Sequence, residues 1–183
     1  MGTIAVHEFI TLDGIVETPS WTAGYPFDPR MGGAIAQIMD PGGAILLGRT
    51  TYEMFAPAWS AKTAEEDPGA PFFNDTHKYV VSSTLKSADW GPATIVPGYS
   101  ADAIRDLKDR VNGKIYVSGS ATLVRALLAD GLADELHLFV FPLALGSGLR
   151  LFGDGTAPVK LALAGSEAYD SGVLHLTYSP AAA

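Results

Sequence analysis

Cysteine is absent from the chain, so disulfides, thiolate nucleophiles and cysteine-ligated zinc or iron–sulfur sites are excluded. Positive charge is scarce, because 12 Lys and Arg stand against 20 Asp and Glu, a formal net charge of -8. A general nucleic-acid binder needs a face that neutralises phosphates, so DNA and RNA are poor candidate partners. A phosphorylated small molecule remains a possible ligand, since one arginine and a few oriented N–H groups can hold it.

Long apolar runs are also missing. The longest, at residues 44–47 and 136–145, are too short or too interrupted to span a bilayer, and no basic segment with a long apolar stretch opens the chain. The default expectation is a cytoplasmic protein. The histidines are dispersed without the spacing of metal ligands, so no metal is expected. They are His7, His77, His137 and His175.

Length and composition favour one folded domain. The chain has 183 residues, of which 48% are hydrophobic and 17% charged. This is enough for one well-buried core and too little for two domains of ordinary size. We expect a single domain over residues 1–180 and a frayed tail at 181–183.

Apolar periodicity and turn signals predict alternating strands and helices. Strands are expected at residues 3–12, 44–47, 79–82, 94–96, 115–117, from 135 onward, at 161–164 and at 174–178. Helices are expected at 30–39, from 50 to near 57, after Ser100 and after Ser120. The pattern indicates an α/β three-layer sandwich with a mixed, mostly parallel central sheet and an antiparallel C-terminal hairpin.

The starts of the helices carry capping signals. Asp28 and Pro29 supply an N-cap and a first-turn proline for the first helix. Ser100 is the predicted N-cap of a later helix. Thr50 and Glu53 have the spacing of a capping box. The segment at residues 58–76 is polar with scattered Pro and Gly, and it is expected to be a loop with one short helical turn.

Two strand-to-helix junctions are candidate anion sites. Residues 48–51 place a guanidinium, two hydroxyls and the N–H groups of a new helix together, and residues 118–122 are small and open another helix. Each junction also has a purely structural explanation. In the first, Thr50 only caps its helix while Arg49 pairs with Glu53. In the second, the small residues form an ordinary tight turn. Two such ends in one sheet favour a long ligand with separated phosphates, as in dinucleotides.

Neither standard nucleotide fingerprint occurs, so a Rossmann fold or a P-loop is not expected. The segment LGRTTYE at residues 47–53 instead resembles the motif that opens the second helix of dihydrofolate reductases. Further segments resemble the reductase domain at the C-terminus of bifunctional riboflavin-biosynthesis deaminase-reductases, within the dihydrofolate reductase-like superfamily. They are TLDG at 11–14, VSS at 81–83, GSATL at 119–123, GLADEL at 131–136, PLALGSG at 142–148 and LFG at 151–153.

This resemblance covers nearly the whole chain and implies a stand-alone NADPH-dependent reductase. It implies that the two junctions hold the phosphates of the cofactor, that Ser82 and Ser83 lie along the adenosine, and that Arg49 faces the 2′-phosphate. A fixed cation suits that dianion. The implied cofactor-binding residues are Gly48, Arg49, Thr50, Thr51, Ser82, Ser83, Ser118, Gly119, Ser120, Ala121 and Thr122.

The sequence also departs from the pattern. Folate reductases carry an acidic residue within the first long helix, whereas residues 30–39 contain neither Asp nor Glu. Asp28 and Asp40 flank that helix and are interpreted as N-cap and turn residues. Ser120 replaces the second of the family's paired glycines. Folate is therefore not the expected substrate.

Asp13, at the end of the first strand, is a candidate substrate contact, although a plain Asp-Gly turn explains it as well. Trp21, Tyr25 and Phe27 are candidates for the substrate pocket, or they pin their loop to the core. The loop at residues 17–26 is a candidate lid. The apolar strand at 136–141 is either a homodimer surface or a buried central strand.

The sequence thus predicts hydride transfer from NADPH to a C=N or C=O bond of a small heterocyclic or ribosyl-bearing substrate, with the proton delivered by water. The alternative is a nucleotide-binding module of the same fold without reductase activity.

Overall fold

A computed structural model describes residues 1–40 and 42–181. The strands are β1 (Thr3–Thr11), β2 (Ala44–Gly48), β3 (Lys78–Val81), β4 (Ala93–Val96), β5 (Lys114–Val117), β6 (Glu135–Phe141), β7 (Leu161–Ala168) and β8 (Leu174–Pro180). The helices are α1 (Pro29–Ile38), α2 (Arg49–Trp59), α3 (Ala70–Asp75), α4 (Ala101–Arg110) and α5 (Ala121–Ala129), with a 3-10 helix at Pro19–Gly24. Of the predicted tail, residues 182 and 183 lie outside the described residues.

One sheet of eight strands organises these elements, in the order β4-β3-β2-β5-β1-β6-β8-β7. The strands from β4 to β6 in this order run parallel, and β8 is antiparallel to both β6 and β7. The predicted α/β sandwich with a mostly parallel sheet and an antiparallel C-terminal hairpin is confirmed. Because ligands collect at the carboxyl ends of parallel strands, the ends of β1, β2, β3 and β5 mark the edge of interest.

The core lies in two layers, one on each face of the sheet. One face packs against α4 and α5, with Ile104, Leu107, Leu123, Val124 and Leu127 in its cluster. The other face packs against α1, α2 and α3, with Met31, Ile38, Tyr52, Phe72 and Phe73 in its cluster. Strand β2 is buried at all five positions, as its unbroken apolar run predicts for a strand covered on both faces.

Two of the three predicted helix starts are confirmed. The Asp28 side chain accepts from the Arg30 N–H at 2.8 Å, with Pro29 in the first turn, and Ser100 Oγ accepts from the Ala103 N–H at 3.2 Å.

The capping box at Thr50 and Glu53 is wrong. Helix α2 begins one residue earlier, at Arg49, with Gly48 as its N-cap and no side-chain cap. The Glu53 carboxylate binds Arg49 instead. Pro57 lies inside α2 and does not end it. Its ring falls in the last turn, where the missing N–H removes only one hydrogen bond of the helix.

Strand β6 is an interior strand, so the prediction of a dimer surface at residues 136–141 is wrong and the buried-strand alternative holds. It pairs with β1 on one side and β8 on the other. Leu136, Phe139 and Phe141 are each at most 1% exposed. Separately, no helix in residues 1–40 and 42–181 combines the length and apolar character that a membrane crossing needs.

Candidate functional site

The two predicted anion junctions meet at the carboxyl edge of the sheet. Gly48, at the end of β2, donates its N–H to the Gly119 carbonyl at an N···O distance of 3.4 Å. A Cβ added to Gly48 would overlap the Ser120 hydroxyl and lie 3.1 Å from Ser120 Cβ. The starts of α2 and α5 therefore lie against each other, and only a glycine at position 48 allows this close approach.

Gly119 has a backbone conformation that suits glycine. Its φ is +78°, and the Gly119–Ser120 peptide is cis. A Cβ at this position would lie 2.9 Å from Thr51 Oγ1, which belongs to the first junction. Thr50 and Thr122 are exposed at the first turns of their helices. The N–H groups and hydroxyls of both helix starts are donors suited to phosphate oxygens.

Arg49 connects the first junction to the turn after β3. Its Nε donates to Glu53 at 2.9 Å, and its NH1 donates to Thr84 Oγ1 at 2.7 Å. The predicted pairing with Glu53 is confirmed, and the Arg49 side chain remains half exposed. Sequence reasoning missed Thr84, because only the fold shows that the turn after β3 faces α2.

Ser82 stabilises that turn from within. Its side chain is buried, and its Oγ accepts from the N–H groups of Thr84 and Leu85 at 3.2 and 3.0 Å. Ser83 is exposed beside it. The hydroxyl of Ser82 therefore shapes the rim of the candidate adenosine site, and the exposed groups are those of Ser83 and Thr84.

A buried carboxyl group lies beside Gly119. Glu8 of β1 is 7% exposed, and its Oε1 has no hydrogen-bond partner within the described residues. Burial raises the pKa of Glu8 to about 8, although the Gly119 backbone N–H binds the carboxylate and acts in the opposite direction. The group is therefore mostly protonated at neutral pH. Sequence reasoning missed it, because one acid within an apolar strand looks like an ordinary exposed position.

The aromatic residues predicted for the pocket divide into two groups. Trp21 and Tyr25 pack edge-on against Phe141 at the end of β6, with ring centroids 5.2 and 5.3 Å away. The Tyr25 hydroxyl also donates to the Pro142 carbonyl at 3.3 Å. Phe27 is 66% exposed. The loop that carries Trp21 and Tyr25 thus closes over the α1 face of the sheet.

Asp13 anchors a second loop. Its carboxylate accepts from the Leu145 and Gly146 N–H groups at 3.2 and 2.7 Å and from the Thr11 hydroxyl at 2.6 Å. These bonds hold the pKa of Asp13 at about 2, with the Thr11 hydroxyl contributing most. Both carboxylate oxygens therefore already bind donors of the chain, and a role of Asp13 in contacting substrate stays a prediction.

Three of the four dispersed histidines come together across neighbouring strands. His7 of β1, His137 of β6 and His175 of β8 lie on the α1 face, and His137 Nδ1 is 3.0 Å from His175 Nε2. His137 Nε2 also binds Glu135 at 3.1 Å. Among the residues that the structure describes, no group of three or more His, Asp or Glu side chains is arranged to hold a metal ion.

Comparison with known proteins gives consistent matches along the chain. The RibD C-terminal domain family matches residues 3–175. The uncharacterized protein YyaP of Bacillus subtilis (strain 168) is 27% identical over 173 residues, which cover 92% of this chain and 90% of that protein.

Solved structures agree on the fold. A putative riboflavin biosynthesis protein from Shewanella sp. PV-4 superposes with a TM-score of 0.79 at 21% identity, with 100% of both chains covered. Dihydrofolate reductase from Enterococcus faecalis, complexed with NADP(H) and RAB-propyl, has a TM-score of 0.64 at 13% identity, with 99% of this chain and 98% of that chain covered. The predicted dihydrofolate reductase-like fold is confirmed.

Proposed function

The chain belongs to the RibD C-terminal domain family, and from that premise we propose that it is an NADPH-dependent reductase. Its proposed reaction is hydride transfer to a C=N or C=O bond of a small heterocyclic or ribosyl-bearing substrate. The observation that carries this proposal is the meeting of Gly48 and Gly119, because it brings two helix starts together at the carboxyl edge of the sheet, as the separated phosphates of a dinucleotide require.

The residues at this edge fit such a cofactor. The first turns of α2 and α5 would bind its phosphates, with hydroxyls from Thr50 and Thr122. Arg49, steadied by Thr84, would bind the 2′-phosphate. NADPH, when bound, supplies the hydride. The protein holds the two partners in contact and keeps water away with the loop that carries Trp21 and Tyr25.

The proton is proposed to come from water. Helix α1 carries no Asp or Glu, and the carboxylate of Asp13 is already bound to the loop at Leu145 and Gly146. Neither group is therefore placed as a general acid for the substrate.

A cytoplasmic location of the protein stays a prediction.

Replacing Arg49 tests the cofactor site. Arg49→Ala should weaken NADPH binding by about 1.5–3 kcal/mol, roughly 10- to 150-fold, because a charge-assisted contact to the 2′-phosphate is lost. NADH lacks that phosphate, so its affinity should change little. Fluorescence titration of both cofactors measures the difference. Arg105→Ala is the matched control, since Arg105 is also exposed and paired, with Asp102 on α4. Equal losses for NADPH and NADH would contradict the role of Arg49.

Measuring NADPH oxidation distinguishes a reductase from a module that only binds the nucleotide. The alternative function, a nucleotide-binding module, predicts saturable NADPH binding with no oxidation of the nicotinamide. The proposed reductase should oxidise NADPH in the presence of at least one member of a panel of pterins, pyrimidine ribosyl compounds and simple carbonyls, followed by nicotinamide absorbance.

We also propose that two copies pair through the C-terminal strands. Leu163 of β7 and Leu174 of β8 are 59% and 40% exposed, and the register places both on one face of the sheet. Burial of such apolar side chains against a second copy is favourable. The wild-type chain should sediment at twice its 19.2 kDa, and Leu163→Glu should shift it to the monomer. A monomeric wild type would refute pairing.

A further inference from the structure

Residues 82–92, here called the adenosine segment, connect β3 to β4 without forming a helix or strand. The segment begins with Ser82 and the exposed residues Ser83 and Thr84, which the proposed function places beside the adenosine of the cofactor. An irregular connection has no ladder of backbone hydrogen bonds, so its position depends on contacts with neighbouring elements. Those contacts decide where its hydroxyl groups stand relative to the cofactor.

Helix α2 holds the adenosine segment at two points. Arg49 and Tyr52 are three residues apart, so their side chains lie on the same side of the helix. The Arg49 guanidinium donates to Thr84 Oγ1 at 2.7 Å, and the Tyr52 hydroxyl accepts from the backbone N–H of Trp90 at 2.9 Å. The donor of the second bond is a backbone N–H group, so the direction of that bond is fixed. The first turn of α2 therefore binds the segment near both of its ends.

The contact at Tyr52 is buried, whereas the contact at Arg49 is exposed. Tyr52 and Trp90 are 5% and 6% exposed, and their ring centroids are 5.8 Å apart. Trp90 Nε1 also donates to Asn74 Oδ1 of α3 at 2.8 Å, and Lys78 Nζ lies 4.5 Å from the centre of the Trp90 ring. A buried N–H without an acceptor costs more than the loss of an exposed polar contact. The Tyr52 hydroxyl is therefore the firmer of the two points.

We propose that Tyr52 is a positioning residue that sets the preference of the site for NADPH over NADH. This rests on the proposed function, because Tyr52 acts through Arg49 and Thr84 at the 2′-phosphate. By holding Trp90, the Tyr52 hydroxyl keeps Thr84 within reach of the guanidinium, which then stays oriented toward the phosphate. Without the hydroxyl the adenosine segment can move away from α2, and NADPH must reorder it on binding at a cost in affinity. NADH has no 2′-phosphate, so the orientation of the guanidinium does not enter its affinity.

Tyr52→Phe removes one oxygen atom and keeps the aromatic ring in the core. The Kd of NADH divided by the Kd of NADPH, from fluorescence titration, should fall by about fivefold, within the roughly 2- to 12-fold that one hydrogen bond represents. A role in general packing would weaken both cofactors equally and leave this ratio unchanged. Tyr99→Phe is the matched control, because the Tyr99 hydroxyl donates to Asp130 at 2.8 Å on the other face of the sheet. Its ratio should equal that of the wild type.

A second substitution tests whether Tyr52 acts through the adenosine segment. Thr84→Val removes the hydroxyl that binds Arg49 and should lower the same ratio by about fivefold. Both substitutions break one series of contacts, so the double variant should also lose about fivefold, whereas independent effects would multiply to about 25-fold. Thr84 is exposed, so Thr84→Val leaves the core intact and tests the inference even if Tyr52→Phe does not fold.

The outcomes separate this inference from the proposed function. An unchanged ratio in folded Tyr52→Phe or in Thr84→Val, multiplied losses in the double variant, or an equal loss in Tyr99→Phe overturns the role of Tyr52. Each of these results leaves the reductase standing, because the wild type still binds NADPH. A wild type that binds neither cofactor overturns the reductase and this inference together.

Discussion

Gly48→Ala is expected to reduce the affinity for NADPH by about 100-fold, or roughly 2.7 kcal/mol, while the chain still folds. The φ of Gly48 is -74°, which alanine adopts without strain, so the effect is steric. The added methyl group would enter the space of the Ser120 hydroxyl and push the second junction away from the first. The N–H groups of the two helix starts would then no longer converge on one ligand.

A second substitution makes this prediction specific. Ser120→Gly removes the hydroxyl that the new methyl group meets, so the double variant should recover about tenfold of the lost affinity if the lost space is the cause. Gly33→Ala is the control, because a Cβ at Gly33 meets no atom within 4 Å. Titration with NADPH and thermal unfolding of all four variants provide the data. Wild-type affinity in Gly48→Ala would show that the two junctions do not share the ligand.

Glu8→Gln is expected to change how stability depends on pH. The pKa of Glu8 is about 8 in the folded chain against an ordinary value of 4.5, so the folded state binds the proton more tightly than the unfolded state. The folded chain therefore loses stability relative to the unfolded chain as pH rises from 4.5 to 8. By linkage, the stability of Glu8→Gln minus that of the wild type should increase by about 4 kcal/mol between pH 5 and pH 9.

The difference between variants isolates this effect. His7, His137 and His175 also titrate, with pKa values lowered by burial, but they contribute equally to both chains. Urea unfolding at several pH values measures the free energies, and Glu65→Gln, at an exposed position, should parallel the wild type. Parallel curves for Glu8→Gln and wild type would show that the carboxyl group ionises as freely when folded as when unfolded.

Local sequence signals predicted the frame of the site well. Buried strands such as β2 and capped helices such as α1 are determined by neighbouring residues, so their pattern is visible in the sequence. The same is true of the small residues that open α5. The start of α2 was missed by one residue, because the backbone of Gly48 caps that helix and leaves Thr50 without the role its spacing indicates.

Contacts between distant segments were not predictable in the same way. His7, His137 and His175 look scattered along the chain, and only the strand order β1-β6-β8 makes them neighbours. Glu8 gave no signal either, because whether an acid in a strand faces solvent or a glycine turn depends on which helix covers that face. Glu8 now carries a prediction that motif resemblance did not supply.

The position of β1 has a consequence for how the protein is made on the ribosome. Among residues 1–40 and 42–181, this first strand pairs only with β5 and β6, whose residues are synthesised more than 100 positions later. Strands β2 and β3 can meet early, whereas β1 must wait until most of the chain has emerged. Because β1 supplies both Glu8 and His7, nascent chains released before β5 lack both strand partners of β1 and expose its apolar side chains to chaperones and proteases.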